Sequence, residues 1–325
     1  MKKKRDYKLA ILNRVARYGK PIIDIQEKPK IKYYASLPHK HQPVFIIGAP
    51  RTGSTILYQL ITNYLNVIYI DNLIDIFHKN LFFGFWLSNK IFKNKQHNCF
   101  KSYHGSTYKY SGLHAPSECG GFWYRWLPAD RHYIAKGEIP NDSLKEIRNN
   151  ILSIINKFNK PLLFKNMNAG LRMGMISEIF PKAKYIFVKR NPIYCTQSIL
   201  VTRKCLFNSY NKWWSLMPKN YNKIIKKFPV EQVVNQIYYI EKQIEKDKKL
   251  FPENNTLSVN YERLNKEPFN VIDKIKDFAE VNYREDDFSK IKDVVNFQNN
   301  RKINQDMFNK IIKEVKKFDW ENYKS

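Results

Sequence analysis

Val44-Phe45-Ile46-Ile47-Gly48-Ala49-Pro50-Arg51-Thr52-Gly53-Ser54-Thr55-Ile56-Leu57 is the stretch that decides the fold. Its first four residues form an uninterrupted apolar run, short, rich in β-branched side chains and ended by a glycine. That pattern predicts a strand buried on both faces, as in a parallel sheet. Beyond the loop, Ile56, Leu57, Leu60, Ile61 and Tyr64 recur at helical spacing, so the loop joins a buried strand to a helix. A loop in that position offers backbone amides and a helix N-terminus to an anion.

The run Gly48 to Thr55 resembles the nucleotide-binding P-loop, with one substitution that matters. Position 54 is Ser where a P-loop NTPase carries the lysine that reaches the β and γ phosphates. The only cation inside the loop is Arg51. A guanidinium, several hydroxyls and the loop amides suit a compact anion better than a magnesium-bridged triphosphate.

Further strands and helices alternate along the chain. Asn66–Ile70, Leu162–Lys165, Lys184–Val188 and Thr256–Val259 read as strands, and 142–158, 171–180, a segment from Pro192, 208–227, 230–250, 268–279 and 304–317 as helices. Such alternation predicts an α/β fold, one domain with a central parallel sheet flanked by helices. Residues 1–40 are basic and carry Pro21, Pro29 and Pro38; they read as an N-terminal arm with one helix near Tyr7–Tyr18, ahead of a domain over 41–325. Residues 72–125 are aromatic-rich with little periodicity and receive no assignment.

A second motif lies at 180–198. Lys184-Tyr185-Ile186-Phe187-Val188 leads into Lys189-Arg190-Asn191-Pro192, and Ser198 follows Arg190 by eight residues. Arg190 is expected at the C-terminal end of a strand, where ligands of open α/β sheets bind, with Ser198 about two helical turns on.

Together the two motifs resemble those of sulfotransferases that use 3′-phosphoadenosine-5′-phosphosulfate (PAPS). In that family a loop like Phe45–Leu57 holds the 5′-phosphosulfate, and an Arg-Asn-Pro with a serine at this spacing holds the 3′-phosphate. The Arg51 form is similar to the branch that includes carbohydrate, tyrosyl-protein and many bacterial sulfotransferases. The resemblance implies that Pro50, Arg51, Thr52, Gly53, Ser54, Thr55, Arg190 and Ser198 bind PAPS, with no metal required. Asn300-Arg301-Lys302 resembles a late basic loop of the family, without its glycine, and makes Arg301 a further candidate. Tyr261-Glu262 in a weaker third match is expected to be structural, with Glu262 bracing the basic site.

For catalysis the resemblance points to Arg51 and Lys165 as charge stabilisers. The family's cytosolic members place a histidine base two residues after that lysine; Met167 stands there and cannot take a proton. Other branches use a glutamate, and Glu118, behind Pro116 and Ser117, is the candidate, with an aromatic setting expected to raise its pKa. His114 and His104 are weaker alternatives. The acceptor, a hydroxyl or amine of a glycan, glycolipid or small metabolite, is expected against the variable region 72–160.

The composition bears on partners. Of 325 residues, 57 are Lys or Arg and 29 Asp or Glu, a net charge of +28 that draws anions inward. An anionic membrane surface is therefore a candidate peripheral partner. A specific nucleic-acid site would gather the basic residues on one helix or between stacking aromatics, whereas here they are dispersed. A P-loop kinase would need Lys at 54 and an acidic magnesium ligand after a strand. Four cysteines without metal-ligand spacing, no apolar signal core and no membrane-spanning run lead to the expectation of a reduced, cytoplasmic protein.

Overall fold

The computed structural model describes residues 7–93, 95–284, 291–294 and 299–320. Five strands form one sheet: β1 Val44–Gly48, β2 Ile68–Tyr69, β3 Leu162–Lys165, β4 Lys184–Lys189 and β5 Thr256–Asn260. Their spatial order is β2-β3-β1-β4-β5, and every pairing is parallel. β1 lies at the centre, with Val44 in register with Leu163 of β3 and with Lys184 of β4. The strand order reverses at β1. The carboxyl ends of β1, β3 and β4 therefore open onto one crevice, the place where open α/β sheets bind ligands.

The apolar run of β1 serves both faces because strand side chains alternate. Phe45 and Ile47 enter one core, and Val44 and Ile46 enter the other. Phe45 stacks between Phe164 of β3 and Tyr185 of β4, with ring centroids 5.2 and 5.6 Å away. Helix α3 (Ser54–Tyr64) helps cover the second face.

Two helices precede the sheet, α1 (Tyr7–Tyr18) and α2 (Lys20–Ser36). The reading of one helix near Tyr7–Tyr18 in an otherwise irregular arm understated this segment. Pro21 sits in the first turn, where its missing N–H costs nothing. Pro29 lies inside α2, which persists because Ile31 and Tyr34 pack on the main core.

Region 72–125, unassigned from sequence, contains α4 (Asn72–Ile76) and α5 (Leu81–Phe92). Leu81, Phe82 and Phe85 of α5 are buried while Trp86 and Ile91 are exposed, so apolar residues lie on several sides and no polar stripe marks the helix. Helix α6 (Asn141–Phe158) precedes β3, and its Asn156 Nδ2 donates to the carbonyls of Tyr34 (2.7 Å) and Leu37 (3.0 Å), anchoring the end of α2.

After β3 come α7 (Met173–Ile179), then, beyond β4, α8 (Pro192–Phe207) and α9 (Pro229–Asp247). The expected helix over 208–227 is instead a loop with one turn at Tyr221–Ile224. Gln236 of α9 takes the backbone there: its Nε2 donates to the carbonyls of Trp214 (3.0 Å) and Leu216 (2.7 Å), which a helix would have used internally. Helices α10 (Tyr261–Lys266), α11 (Pro268–Ala279) and α12 (Gln305–Val315) follow β5.

Removing the ring of Phe45 leaves a cavity between three strands. Phe45→Ala is expected to lower unfolding stability by about 3–5 kcal/mol, read from urea denaturation; a loss below about 1 kcal/mol would show that β1 is not the packed centre of the sheet.

Candidate active site

The carboxyl ends of β1, β3 and β4 frame an open cleft of about 660 Å³. Its floor is Pro50, Arg51, Gly53, Ser54 and Thr55, while Thr52 is buried beneath the loop with its Oγ1 donating to the Ala49 carbonyl at 3.0 Å. Gly53 has φ of +88°, and a Cβ there would lie 2.2 Å from the ring of Tyr261, so the loop presses directly on the start of α10. Gly53 is also the N-cap of α3 and has no side chain to satisfy the first-turn amides, which leaves them for a ligand oxygen.

Arg51 carries a left-handed backbone, φ +69°, unusual outside glycine. Such a residue costs about 1–3 kcal/mol unless its surroundings hold it. Here Arg190 Nη1 donates to its carbonyl at 2.9 Å, and its own Nε donates to Ser198 Oγ at 2.9 Å. The two sequence motifs, more than a hundred residues apart, thus meet in a pair of hydrogen bonds. Burial, and the neighbouring Arg190 charge, lower the Arg51 pKa from its ordinary value.

Arg190 follows β4 directly and lies over the ring of Tyr261, 4.4 Å from its centroid. Its Nε and Nη2 donate to Asn299 Oδ1 at 3.0 and 2.8 Å. Asn299 Nδ2 in turn donates to Glu262 Oε1 at 2.7 Å, and the same carboxylate oxygen accepts from the Asn191 amide at 3.2 Å. Glu262 is therefore bound to the basic site through Asn299.

Lys165 ends β3, is only 4% exposed and forms an ion pair with Glu118. The aromatic enclosure expected for Glu118 is not what surrounds its carboxylate, which faces Lys165 across the cleft. Gly105, φ +94°, lies so close that a Cβ would come within 2.6 Å of Glu118 Oε1. Among the described residues lining the cleft, Glu118 is the one carboxylate, set against Arg51, Lys165 and Arg190. Met167 lines the cleft too, with no proton-accepting atom.

The remaining candidates separate. His104 lines the cleft, edge-on to Tyr103 and Trp214, and burial together with Arg51 lowers its pKa. His114 does not line it. Its ring stacks on Phe92 at 4.2 Å, its Nε2 lies 3.3 Å from the Tyr69 hydroxyl, and both border a separate cavity of about 120 Å³. Arg301 is exposed, outside the cleft lining, and hydrogen-bonded to Gln305.

Sequence reasoning missed Asn299, Gln197 and Trp214. Gln197 clamps the late loop by donating to the Asn300 carbonyl (2.9 Å) and accepting from the Lys302 amide (2.7 Å). The available signals were the position of Gln197 next to Ser198 in the second motif and that of Asn299 next to the late basic loop Asn300-Arg301-Lys302; Trp214 carries none.

The strand-loop-helix cradle, Arg190 bonded to the Arg51 carbonyl, and the buried Lys165 gather three cations in a cleft suited to a ligand with more than one anionic group. A transferase working on such a ligand accords with the comparisons. Residues 43–285 match the sulfotransferase family, and the chain belongs to it. No curated protein matches by sequence. Among solved structures, a sulfotransferase from Mycobacterium tuberculosis superposes with a TM-score of 0.51 at 12% identity, covering 90% of this chain and 79% of that one. One from Mycobacterium avium gives 0.49 at 14% identity, over 83% and 70%. The first shares the fold.

Burial pushes the pKa of His114 down to about 4, with the Arg284 charge adding to the effect. An unfolded histidine titrates near 6.5, so as pH falls the unfolded chain takes the proton first. Stability on this account is full above about pH 6.5 and declines as pH falls towards 4. His114→Phe, which keeps a ring against Phe92, should cut proton uptake on acid unfolding by about one, as seen in urea midpoints across that window. Unaltered acid sensitivity would mean that the imidazole is solvated instead.

Proposed function

We propose that the chain is a PAPS-dependent sulfotransferase acting on a hydroxyl, or an amine, of a glycan, glycolipid or small metabolite and releasing 3′,5′-ADP. The observation that carries this reading is the Arg51–Ser198 bond beside the Arg190–Arg51 bond. It joins the loop suited to a 5′-phosphosulfate to the arginine-serine pair suited to a 3′-phosphate, with Arg51 and Arg190 lining one cleft and Ser198 bonded to Arg51.

PAPS supplies a sulfuryl group on a phosphate leaving group. The amides of Thr52 to Thr55 and the Arg51 guanidinium hold the phosphosulfate end. Arg190 and Ser198 hold the 3′-phosphate, whose oxygens replace the Asn299 amide oxygen as the arginine's acceptor. Lys165 places its ammonium against the charge that grows on the bridging oxygen. As it turns to that oxygen, Lys165 leaves Glu118, whose carboxylate then accepts the proton of the attacking hydroxyl. Positioning and charge do most of this work, as in phosphoryl transfer. Tyr103, Tyr124 and Trp214 line the cleft and offer ring faces to a sugar or an apolar aglycone.

Incubation with PAPS and acceptor extracts, followed by mass spectrometry, should reveal a sulfated product. Glu118→Gln is expected to slow transfer about 10²–10⁴-fold while 3′,5′-ADP still binds. Arg190→Ala should weaken 3′,5′-ADP binding by about ten- to a hundredfold. An unchanged affinity in Arg190→Ala would place the 3′-phosphate elsewhere, and full activity in Glu118→Gln would rule that residue out as the base.

A further inference from the structure

Along α1 and α2, Ile11, Val15, Tyr18, Ile22 and Ile25 recur at intervals of four, three, four and three residues. This spacing puts them on one helical face. All five are exposed, with Tyr18 at 71%, Ile22 at 65% and Ile25 at 75%. The face is continuous across the junction. Gly19 has helical backbone angles, its amide donates to Val15 at 2.9 Å, and the Ile23 amide donates to its carbonyl at 3.0 Å. The opposite face, with Leu12, Ala16, Ile23, Ile31 and Tyr34, is the one packed on the protein. The exposed stripe is thus not the core side of an amphipathic helix; it is a second apolar face.

Its charge is one-sided. Arg14, Arg17, Lys28 and Lys32 are exposed and lie along its border. The two carboxylates of these helices are engaged elsewhere. Asn80 Nδ2 donates to Asp24 Oδ1 at 2.6 Å and to Glu27 Oε1 at 2.8 Å, the Phe83 amide donates to Glu27 Oε2 at 3.1 Å, and Lys20 pairs with Asp24. Lys2, Lys3, Lys4 and Arg5, with one acid, Asp6, precede α1 in sequence. An apolar stripe bordered by cations, with both carboxylates of α1 and α2 engaged elsewhere, complements an anionic lipid surface. A second copy would bring the same cations against each other.

We propose that this face of α1 and α2 docks the protein on an anionic bilayer surface, its isoleucines and tyrosine entering the headgroup boundary. Among the described residues no helix is long and apolar enough to cross a membrane, so the contact is peripheral. It is independent of the sulfuryl-transfer reading.

Co-sedimentation with vesicles tests it, phosphatidylcholine alone against phosphatidylcholine with phosphatidylserine. The intact chain should pellet with the acidic vesicles and much less with the neutral ones. Arg14→Gln/Arg17→Gln/Lys28→Gln should weaken that partitioning on the order of a hundredfold. Ile22→Asp/Ile25→Asp should abolish it while circular dichroism stays unchanged; both positions are exposed, so the fold survives. Three results would overturn the proposal: no pelleting, equal pelleting with neutral vesicles, or acidic-vesicle binding that survives Ile22→Asp/Ile25→Asp. A dimer in sedimentation equilibrium that this variant dissolves, without lipid binding, would assign the face to a second copy instead. Titration with 3′,5′-ADP in parallel keeps the two readings apart, since its failure bears on the cleft alone.

Discussion

The site depends on one joint, in which the Arg190 guanidinium grips the carbonyl of Arg51 while the Arg51 guanidinium reaches Ser198. It holds a non-glycine residue in left-handed backbone and fixes where the loop's cation points. It also ties the end of β1 to the end of β4 and the first turns of α8. Two like charges sit side by side, and burial together with the Arg190 charge lowers the Arg51 pKa. On the proposed reading, an anion bound between the two guanidinium groups would relieve that repulsion.

The balance of charge in the cleft extends the point. Arg51, Arg190 and Lys165 face a single lining carboxylate among the described residues, Glu118. Glu118 is held by Lys165, and Asn299 links Glu262 to Arg190. The partners of the three cleft cations include the Asn299 amide oxygen, the Arg51 carbonyl, the Ser198 hydroxyl and one acid, Glu118. The wider excess of +28 strengthens the field drawing anions to the cleft.

Much of this was legible in sequence, for identifiable reasons. The apolar run Val44–Ile47 can be satisfied only by burial on both faces, so it announced a central parallel strand. Arg190 and Ser198 were visible because strand end, arginine, proline and serine keep fixed spacing. What escaped notice lacks a local signature. α2 contains Pro21 in its first turn and Pro29 in its interior, which tertiary packing tolerates, and α5 is too apolar all round to show a period. Residues 208–227 look helical, but the carbonyls of Trp214 and Leu216 accept from Gln236 instead. His104 and His114 are indistinguishable as letters; only the fold sends one to the cleft and the other behind Phe92. Asn299 meets Arg190 across 109 residues; the loop it adjoins was marked for Arg301, and nothing in the sequence says that the asparagine is the residue that reaches the site.

The central claim is that one cleft carries two separate phosphate sites, one from each motif. Calorimetric titration with 3′,5′-ADP and with 5′-AMP, which differs from it only by lacking the 3′-phosphate, tests it most directly. The account predicts that 3′,5′-ADP binds about ten- to a hundredfold more tightly, the worth of charge-assisted hydrogen bonds from Arg190 and Ser198. Equal affinities for the two nucleotides would contradict it.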